Sequence, residues 1–406
     1  MDTEQIAALL TPEGWALLES LPEYAPEGVL ELTERLRSAG HPPQLVSAAL
    51  TQSRLRAAAR DKFGPFAASM LFTQAGLEQA TRLPVAARHA RRYAAAGVAR
   101  VADLGCGIGA DSMALATFDR EVVAVERDET TAAAATVNLR HWPEAVVRCE
   151  DALHSDLAGC GGAFVDPARR RSTGKRVLDP RRSDPPLSFV LELAGRLPAV
   201  GWKAAPGIAH DLVPPDAEAQ WVSVGGQVVE AGIWFGLLAR EGIRRSALVL
   251  PEDDDAEEPP VEVTDVGLPE PTVGPLGSVL YEPDGAVIRA GLVGQVAAAV
   301  EGHLIDRTIA YVTADRLVRT SLATPYAVEE VFGFQLKALR TWARDRGIGR
   351  LTIKKRGTAV EPEQLRKQLR LSGSAEATIV LTRIAGRQSV IVVRPVLALR
   401  NTHHVE

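Results

Sequence analysis

The spacing of apolar residues changes character along the chain. From residue 1 to about 95 apolar positions recur at helical spacing, and the runs follow prolines at Pro12, Pro22, Pro26, Pro42, Pro43, Pro65 and Pro84. A proline in the first helical turn costs nothing, because its missing N–H would have no intrahelical partner there. The region therefore predicts a bundle of short helices, among them 27–38 and 43–60. From residue 98 short apolar runs alternate with helical segments: 98–104, 122–126, 146–149 and 163–166 read as strands, with later ones at 201–203 and 228–230. That alternation marks βαβ units around a parallel sheet, an α/β fold. The stretch 252–260 is six acids in seven residues and then two prolines. Like charges repel and proline stiffens, which predicts an acidic linker over 251–261. Beyond it, 262–330 reads as a small α+β unit with a strand at 279–281, a helix near 286–300 and a strand at 309–313. Residues 331–406 predict a helix at 333–345, a strand at 351–354, a helix at 361–370 and two strands, 378–383 and 389–393.

Composition narrows the class. A chain of 406 residues, 46% hydrophobic and 24% charged, is ordinary globular material, which excludes a wholly disordered or fibrous protein. It has no apolar run of membrane-spanning length, and its opening Met1-Asp2-Thr3-Glu4 is acidic where a signal peptide is basic. A cytoplasmic protein is expected. Cys106, Cys149 and Cys160 show no CxxC spacing, so neither a disulfide framework nor a metal cluster is expected. The net charge of −5 hides an asymmetry that matters more. Residues 331–406 hold fifteen Lys and Arg against five Asp and Glu, a net +10, which leaves −15 on the rest. A basic module on an acidic body is the footprint of a polyanion partner.

The sharpest local feature is Val101-Ala102-Asp103-Leu104-Gly105-Cys106-Gly107-Ile108-Gly109, a strand that runs into a glycine-rich turn opening a helix. Glycines there let the backbone approach a ligand closely. Taken alone, Gly105, Gly107 and Ala110 also fit a dinucleotide fingerprint. The acids around them decide. Asp103 would repel a pyrophosphate but suits the cationic amino-acid end of S-adenosylmethionine. Glu126 ends the next strand, where an acid takes hydrogen bonds from ribose hydroxyls. Asp151 follows the third strand and Asp166 ends the fourth. Acids at four successive strand ends, all on the ligand edge of the sheet, are far more specific than a glycine motif.

On these residues the chain resembles the class I S-adenosylmethionine-dependent methyltransferases. More closely it resembles the bacterial subfamily that joins such a domain to an N-terminal helical region, a ferredoxin-like unit and a C-terminal THUMP-like domain. The resemblance runs through Leu71-Phe72-Thr73, Leu77-Glu78-Gln79-Ala80-Thr81, the Asp103 to Gly109 loop, Asp166-Pro167-Ala168-Arg169-Arg170 and Ile353-Lys354-Lys355-Arg356-Gly357. It implies a Rossmann-like sheet over 96–250, flanked by a helical region at 1–95, a ferredoxin-like unit at 262–330 and a THUMP-like domain at 331–406. It also implies S-adenosyl-L-methionine as cofactor, with Asp103, Gly105, Gly107, Gly109, Glu126 and Asp151 around it and Thr73 closing over it.

For the acceptor, Asp166 is the candidate to take a hydrogen bond or a proton. Its loop lacks the second proline and the aromatic residue by which many base amino-methylating enzymes hold a flipped base. A cysteine nucleophile after Cys160, as 5-methyluridine enzymes need, is also missing. Asp166, Lys203 and Glu230, with Lys62 as a fourth member, form a competing set like that of ribose 2′-O-methyltransferases. Arg169, Arg170, Arg171, Lys175, Arg176, Arg181 and Arg182 crowd beside the loop. Lys354, Lys355 and Arg356 leave a strand, and Arg340, Arg344, Arg366, Lys367 and Arg370 recur at helical spacing. All suit phosphate contacts, and THUMP-like units are linked to RNA recognition. The expected activity is methylation of structured RNA, tRNA or rRNA. A small-molecule or protein methyltransferase, an RNA-binding protein with a vestigial cofactor site and an NAD-dependent oxidoreductase remain as alternatives.

Overall fold

The structure, a computed structural model, describes residues 1, 3–167, 179–252, 259–267 and 270–396. The chain forms two compact units, Met1–Ala219 with Glu230–Glu241, and Gln220–Val229 with the chain from Gly242 onward.

The first unit opens with helices α1 (Thr3–Leu9), α2 (Pro12–Ser20), α3 (Val29–Ser38), α4 (Pro43–Phe63), α5 (Gln74–Gln79) and α6 (Leu83–Ala95). Prolines occupy the first turns of α2, α4 and α6, as the sequence pattern predicts. Strands and helices then alternate: β1 (Arg100–Leu104), α7 (Ala110–Thr117), β2 (Glu121–Glu126), α8 (Glu129–Asn138), β3 (Ala145–Cys149), β4 (Gly162–Val165), α9 (Leu187–Ala194) and β5 (Ala199–Ala204). These five strands are parallel in the order β3-β2-β1-β4-β5. The order reverses between β1 and β4, and a crevice opens at the strand ends beside such a reversal. Strand β6 (Glu218–Val224) precedes β7 (Gln227–Gly236), and β7 pairs antiparallel with β5 from Ala204↔Ala231 to Ala199↔Gly236.

The helical region 1–95 is no separate body. Ile6, Leu9, Leu55, Phe63 and Phe72 share one continuous core with Val101, Val122, Phe164 and Trp234. Tyr93 of α6 ties that core to the sheet by donating its hydroxyl to the Ala163 carbonyl at 2.6 Å. Glu218 is fully buried and accepts from Arg92 at 2.7 Å and from Arg240 at 2.6 Å. Burial opposes its ionisation, but the two guanidiniums hold its pKa at about 2.

The second unit adds β8 (Arg245–Leu250) and β9 (Val261–Thr264), an antiparallel pair, then β10 (Val279–Pro283), α10 (Gly285–Arg289), α11 (Val293–Ala299), β11 (His303–Leu304), β12 (Val312–Ala314) and β13 (Ala323–Gly333). It ends with α12 (Leu336–Asp345), β14 (Ile348–Lys355), α13 (Pro362–Leu369), β15 (Ala375–Ile384) and β16 (Arg387–Pro395). Seven of these strands form one sheet in the order β11-β12-β10-β13-β16-β15-β14. Its two faces follow the period of two. Ile379 and Leu381 face Leu339, Trp342 and Leu365, while Val380 faces Tyr311 and Tyr326.

Two expectations are corrected here. A boundary at 330/331 falls inside β13, which pairs with β10 on one side and β16 on the other, so 262–330 and 331–396 share a sheet. The helix expected over 286–300 is two helices, broken at Gly291, which has φ +71°. Of the acidic linker, 253–258 lie outside the described residues, and its last residue, Val261, starts β9.

Candidate active site

The glycine turn after β1 is shaped by the strand beside it. Gly105 has φ +85°, and a Cβ there would stand 2.4 Å from the Asp166 carbonyl oxygen. Any side chain would push apart the ends of β1 and β4, where the sheet order reverses. The Gly107 N–H donates to Glu126 Oε2 at 3.1 Å and the Asp128 N–H to Glu126 Oε1 at 2.9 Å, which fixes that carboxylate at the end of β2. Asp151 caps a single turn through the Leu153 N–H at 2.9 Å.

Residues 70–73 lie against this loop through two amide side chains. Asn138 of α8 accepts from the Leu71 N–H at 2.7 Å and donates to the Leu71 and Ile108 carbonyls. Gln52 of α4 pairs with both the N–H and the carbonyl of Phe72. Thr73 then caps α5 by accepting from the Gly76 N–H at 3.0 Å. Lys62 is engaged here as well. It donates to the carbonyls of Leu77, Glu78 and Ala80, closing the C-terminal end of α5, and so does not join the set around Asp166.

These elements enclose a cavity of about 550 Å³. Thr73, Gly105, Gly107, Glu126, Asp151 and Asp166 line it, whereas Asp103, Gly109 and Lys203 lie behind the wall. Asp103 is 1% exposed. Ser112 donates to its Oδ2 at 2.5 Å, and its Oδ1 is buried with no partner among the described residues. Burial, and after it the charge of Asp111, raises the Asp103 carboxyl to about 8. Near neutral pH this group is largely the neutral acid, and a positive charge brought into the cavity would favour its carboxylate form.

Asp166 does not stand alone. Lys203 donates to its Oδ2 at 2.6 Å and to Thr81 Oγ1 at 2.7 Å. Thr81 in turn donates its hydroxyl to Asp111 Oδ2 at 2.6 Å. His89 reaches Asp111 Oδ1 through Nδ1 at 2.8 Å and Glu230 Oε1 through Nε2 at 2.7 Å. Burial alone would lower the His89 pKa, but Glu230 and Asp111 raise it to about 10, and the ring is a cation at neutral pH. Burial works equally against Asp111 and Glu230, yet the His89 charge holds both below the ordinary carboxylate range. Glu230 is thus linked to Lys203 through His89, Asp111 and Thr81.

Asp111, His89 and Thr81 escape a reading of the strand ends. Only His89 left a signal, as the polar residue on the buried Val85, Ala86, Ala90, Tyr93 stripe of α6.

Across 86% of its length this chain is 34% identical, over 363 residues, to an "uncharacterized S-adenosylmethionine-dependent methyltransferase" of Mycobacterium tuberculosis, strains CDC 1551 and H37Rv, and it covers 95% of that relative. The chain belongs to the S-adenosylmethionine-dependent methyltransferases. A crystal structure of a Porphyromonas gingivalis W83 protein assigned as a methyltransferase shares the fold, with TM-score 0.71 and 20% identity over 98% of this methyltransferase and 100% of that chain. The THUMP domain-like family matches residues 323–395 and a domain of unknown function matches 2–59. Among the described residues, no helix of the methyltransferase is long and apolar enough to cross a membrane.

In the THUMP-like region the cations expected to meet phosphate are committed elsewhere. Lys354 donates to Glu282 Oε2 at 2.6 Å and sits 5.2 Å above the Tyr326 ring. Burial opposes its charge, but Glu282 and Tyr326 push its pKa up. Arg356 lies over Tyr311 at 5.2 Å and 3.8 Å from Glu282, and Lys355 donates to Glu361 at 2.7 Å. Arg169 and Arg170 lie outside the described residues.

Proposed function

We propose that this methyltransferase acts on a nucleotide of structured RNA, tRNA or rRNA. The observation that carries the reading is the THUMP domain-like match over 323–395 in a region of net charge +10. S-adenosylmethionine supplies a methyl group already activated on a sulfonium. The remaining work is to bind, align and exclude water. In this reading Thr73, Gly105, Gly107, Glu126 and Asp151 hold the cofactor, Gly109 shapes the turn behind them, and Asp103 answers the cofactor's positive charge from behind the wall. Asp166 receives the acceptor, and Lys203 positions the Asp166 carboxylate. Glu126→Ala is expected to weaken cofactor binding by about 1–3 kcal/mol, the value of lost charge-assisted hydrogen bonds. Calorimetry with S-adenosylhomocysteine checks it, and an unchanged affinity moves the ribose contact away from Glu126.

For the RNA, the reading is supported by α12 and α13 better than by the Lys354 strand end. Lys337, Lys367 and Arg370 are exposed and make no side-chain hydrogen bond or ion pair among the described residues. Arg340 joins the two helices by donating to the Gln368 carbonyl at 2.6 Å. Replacing Lys337, Lys367 and Arg370 with Ala should flatten the slope of log affinity against log salt by about two to three units, at roughly 0.7–0.9 per phosphate. Lys354→Ala should instead lower thermal stability, because among the described residues it leaves half-buried Glu282 with Arg356, 3.8 Å away, and two long tyrosine hydrogen bonds. Parallel salt slopes for the triple variant and the parent protein test the opposite outcome and would remove this face from the RNA track.

A further inference from the structure

We infer that the methylated atom is a nitrogen of a nucleobase, with an N–H of the same base donated to Asp166. The inference rests on the RNA reading above and deepens it by naming the acceptor. It comes from asking which acceptor chemistry the groups around Asp166 can serve.

A ribose 2′-hydroxyl is a poor nucleophile until a base takes its proton. Of the other acids that line the cavity among the described residues, Glu126, Asp128 and Asp151 each hold backbone N–H groups, Asp111 accepts from Thr81 and His89, and Glu150 and Asp184 pair with Arg148 and Arg127. That leaves Asp166 itself and Lys203, which donates to it from behind the wall. Lys203 is 5% exposed and donates to both Asp166 and Thr81. Asp111, which lines the cavity, and the buried Glu230 are tied to Lys203 through Thr81 and His89. To act as a base Lys203 would have to be neutral, which leaves the Asp166 carboxylate without its counter-ion at a corner that is mostly buried. Asp166, for its part, is a carboxylate whose charge an ammonium already compensates. Such a group is suited to accept a hydrogen bond and gains little by taking a hydroxyl's proton.

Carbon is disfavoured by the thiols. Methylation at a pyrimidine C5 through a covalent adduct needs a thiolate. Of the three cysteines Cys106 lines the cavity, and burial, then the charge of Asp103, push its thiol well above the usual range, so it stays protonated.

Nitrogen needs neither service. A ring nitrogen has a lone pair ready, and an exocyclic amine acquires one as its N–H leans on a carboxylate. The C–N bond forms as the C–S bond breaks, the C–S pair stays on sulfur, and the positive charge passes to the base. A proton on an exocyclic nitrogen then leaves to water by way of Asp166. Lys203 holds one Asp166 oxygen at 2.6 Å and keeps the carboxylate in place at the cavity.

The test needs no variant. The full-length protein is incubated with S-adenosylmethionine carrying a deuterated methyl group and with total tRNA and rRNA from cells lacking the protein. The RNA is digested and the nucleosides fragmented at the glycosidic bond in a mass spectrometer. Label that stays with the base, in a nucleoside that co-elutes with an N-methyl standard, is the expected result. Label that leaves with the sugar, or a base methylated on carbon, overturns the inference while the RNA reading stands. Label in no nucleoside overturns the RNA reading and the inference together. Asp166→Asn, run in parallel, should lower label incorporation at least a hundredfold, and full incorporation would remove the Asp166 contact.

Discussion

Asp166→Asn should lower methyl transfer at saturating cofactor and RNA by about 10²–10⁴-fold while cofactor affinity stays within a few-fold of the parent. The expectation follows from position. Asp166 lines the cavity at the end of β4, away from Glu126 and Asp151, and one of its carboxylate oxygens is held by Lys203 at 2.6 Å. The amide keeps the shape of the side chain and loses its charge, so Lys203 holds it only by a weaker hydrogen bond to the amide oxygen and an acceptor N–H finds a weaker partner. Single-turnover kinetics with a separate cofactor titration divides the two effects. Near-normal turnover would reduce Asp166 to a strand-end residue that merely holds Lys203.

The largest stability effect should come from His89. Its imidazolium bridges Asp111 and Glu230, all three buried, and removing one partner of such a cluster leaves charges uncompensated. His89→Leu is therefore expected to cost about 3–5 kcal/mol, seen as a lower midpoint of urea unfolding. The pH dependence has a definite sign. The His89 pKa is raised from 6.5 to about 10, so its contribution is fully present below pH 6.5 and is lost as pH rises through about 10. Asp111 and Glu230 are lowered, so theirs is present above the ordinary carboxylate range, about pH 4, and is lost as pH falls below it. The gap between parent and variant should thus be widest at about pH 5–6.5. A gap that widens toward pH 10 would mean that His89 is buried neutral.

The sheet and the ligand edge were legible because their signals are local. A strand end, a glycine turn and the acid that follows lie within a few residues, and the alternation of strands and helices fixes that these ends share one edge. That is how Asp103, Glu126, Asp151 and Asp166 could be picked from the chain. The relay behind them is written across long separations. His89 and Glu230 are 141 residues apart, and Lys354 and Glu282 are 72 apart. A lysine on a strand end reads the same whether it faces phosphate or a glutamate on the neighbouring fold element. Lys62 misled for a related reason, since nothing in its neighbourhood says that three carbonyls at the end of α5 will converge on it. The boundary set at 330/331 failed because β13 runs through it, and a strand edge shared by two neighbours leaves no mark in composition.

The proposed transfer of methyl groups from S-adenosylmethionine to RNA at the cavity beside Asp166 should leave its trace in the cell. Quantitative mass spectrometry of nucleosides from tRNA and rRNA, with and without this protein, tests it most directly. One methylated nucleoside is expected to be lost on deletion, restored by the parent protein and not restored by Asp166→Asn. An unchanged set of modified nucleosides, or restoration by Asp166→Asn, would contradict it.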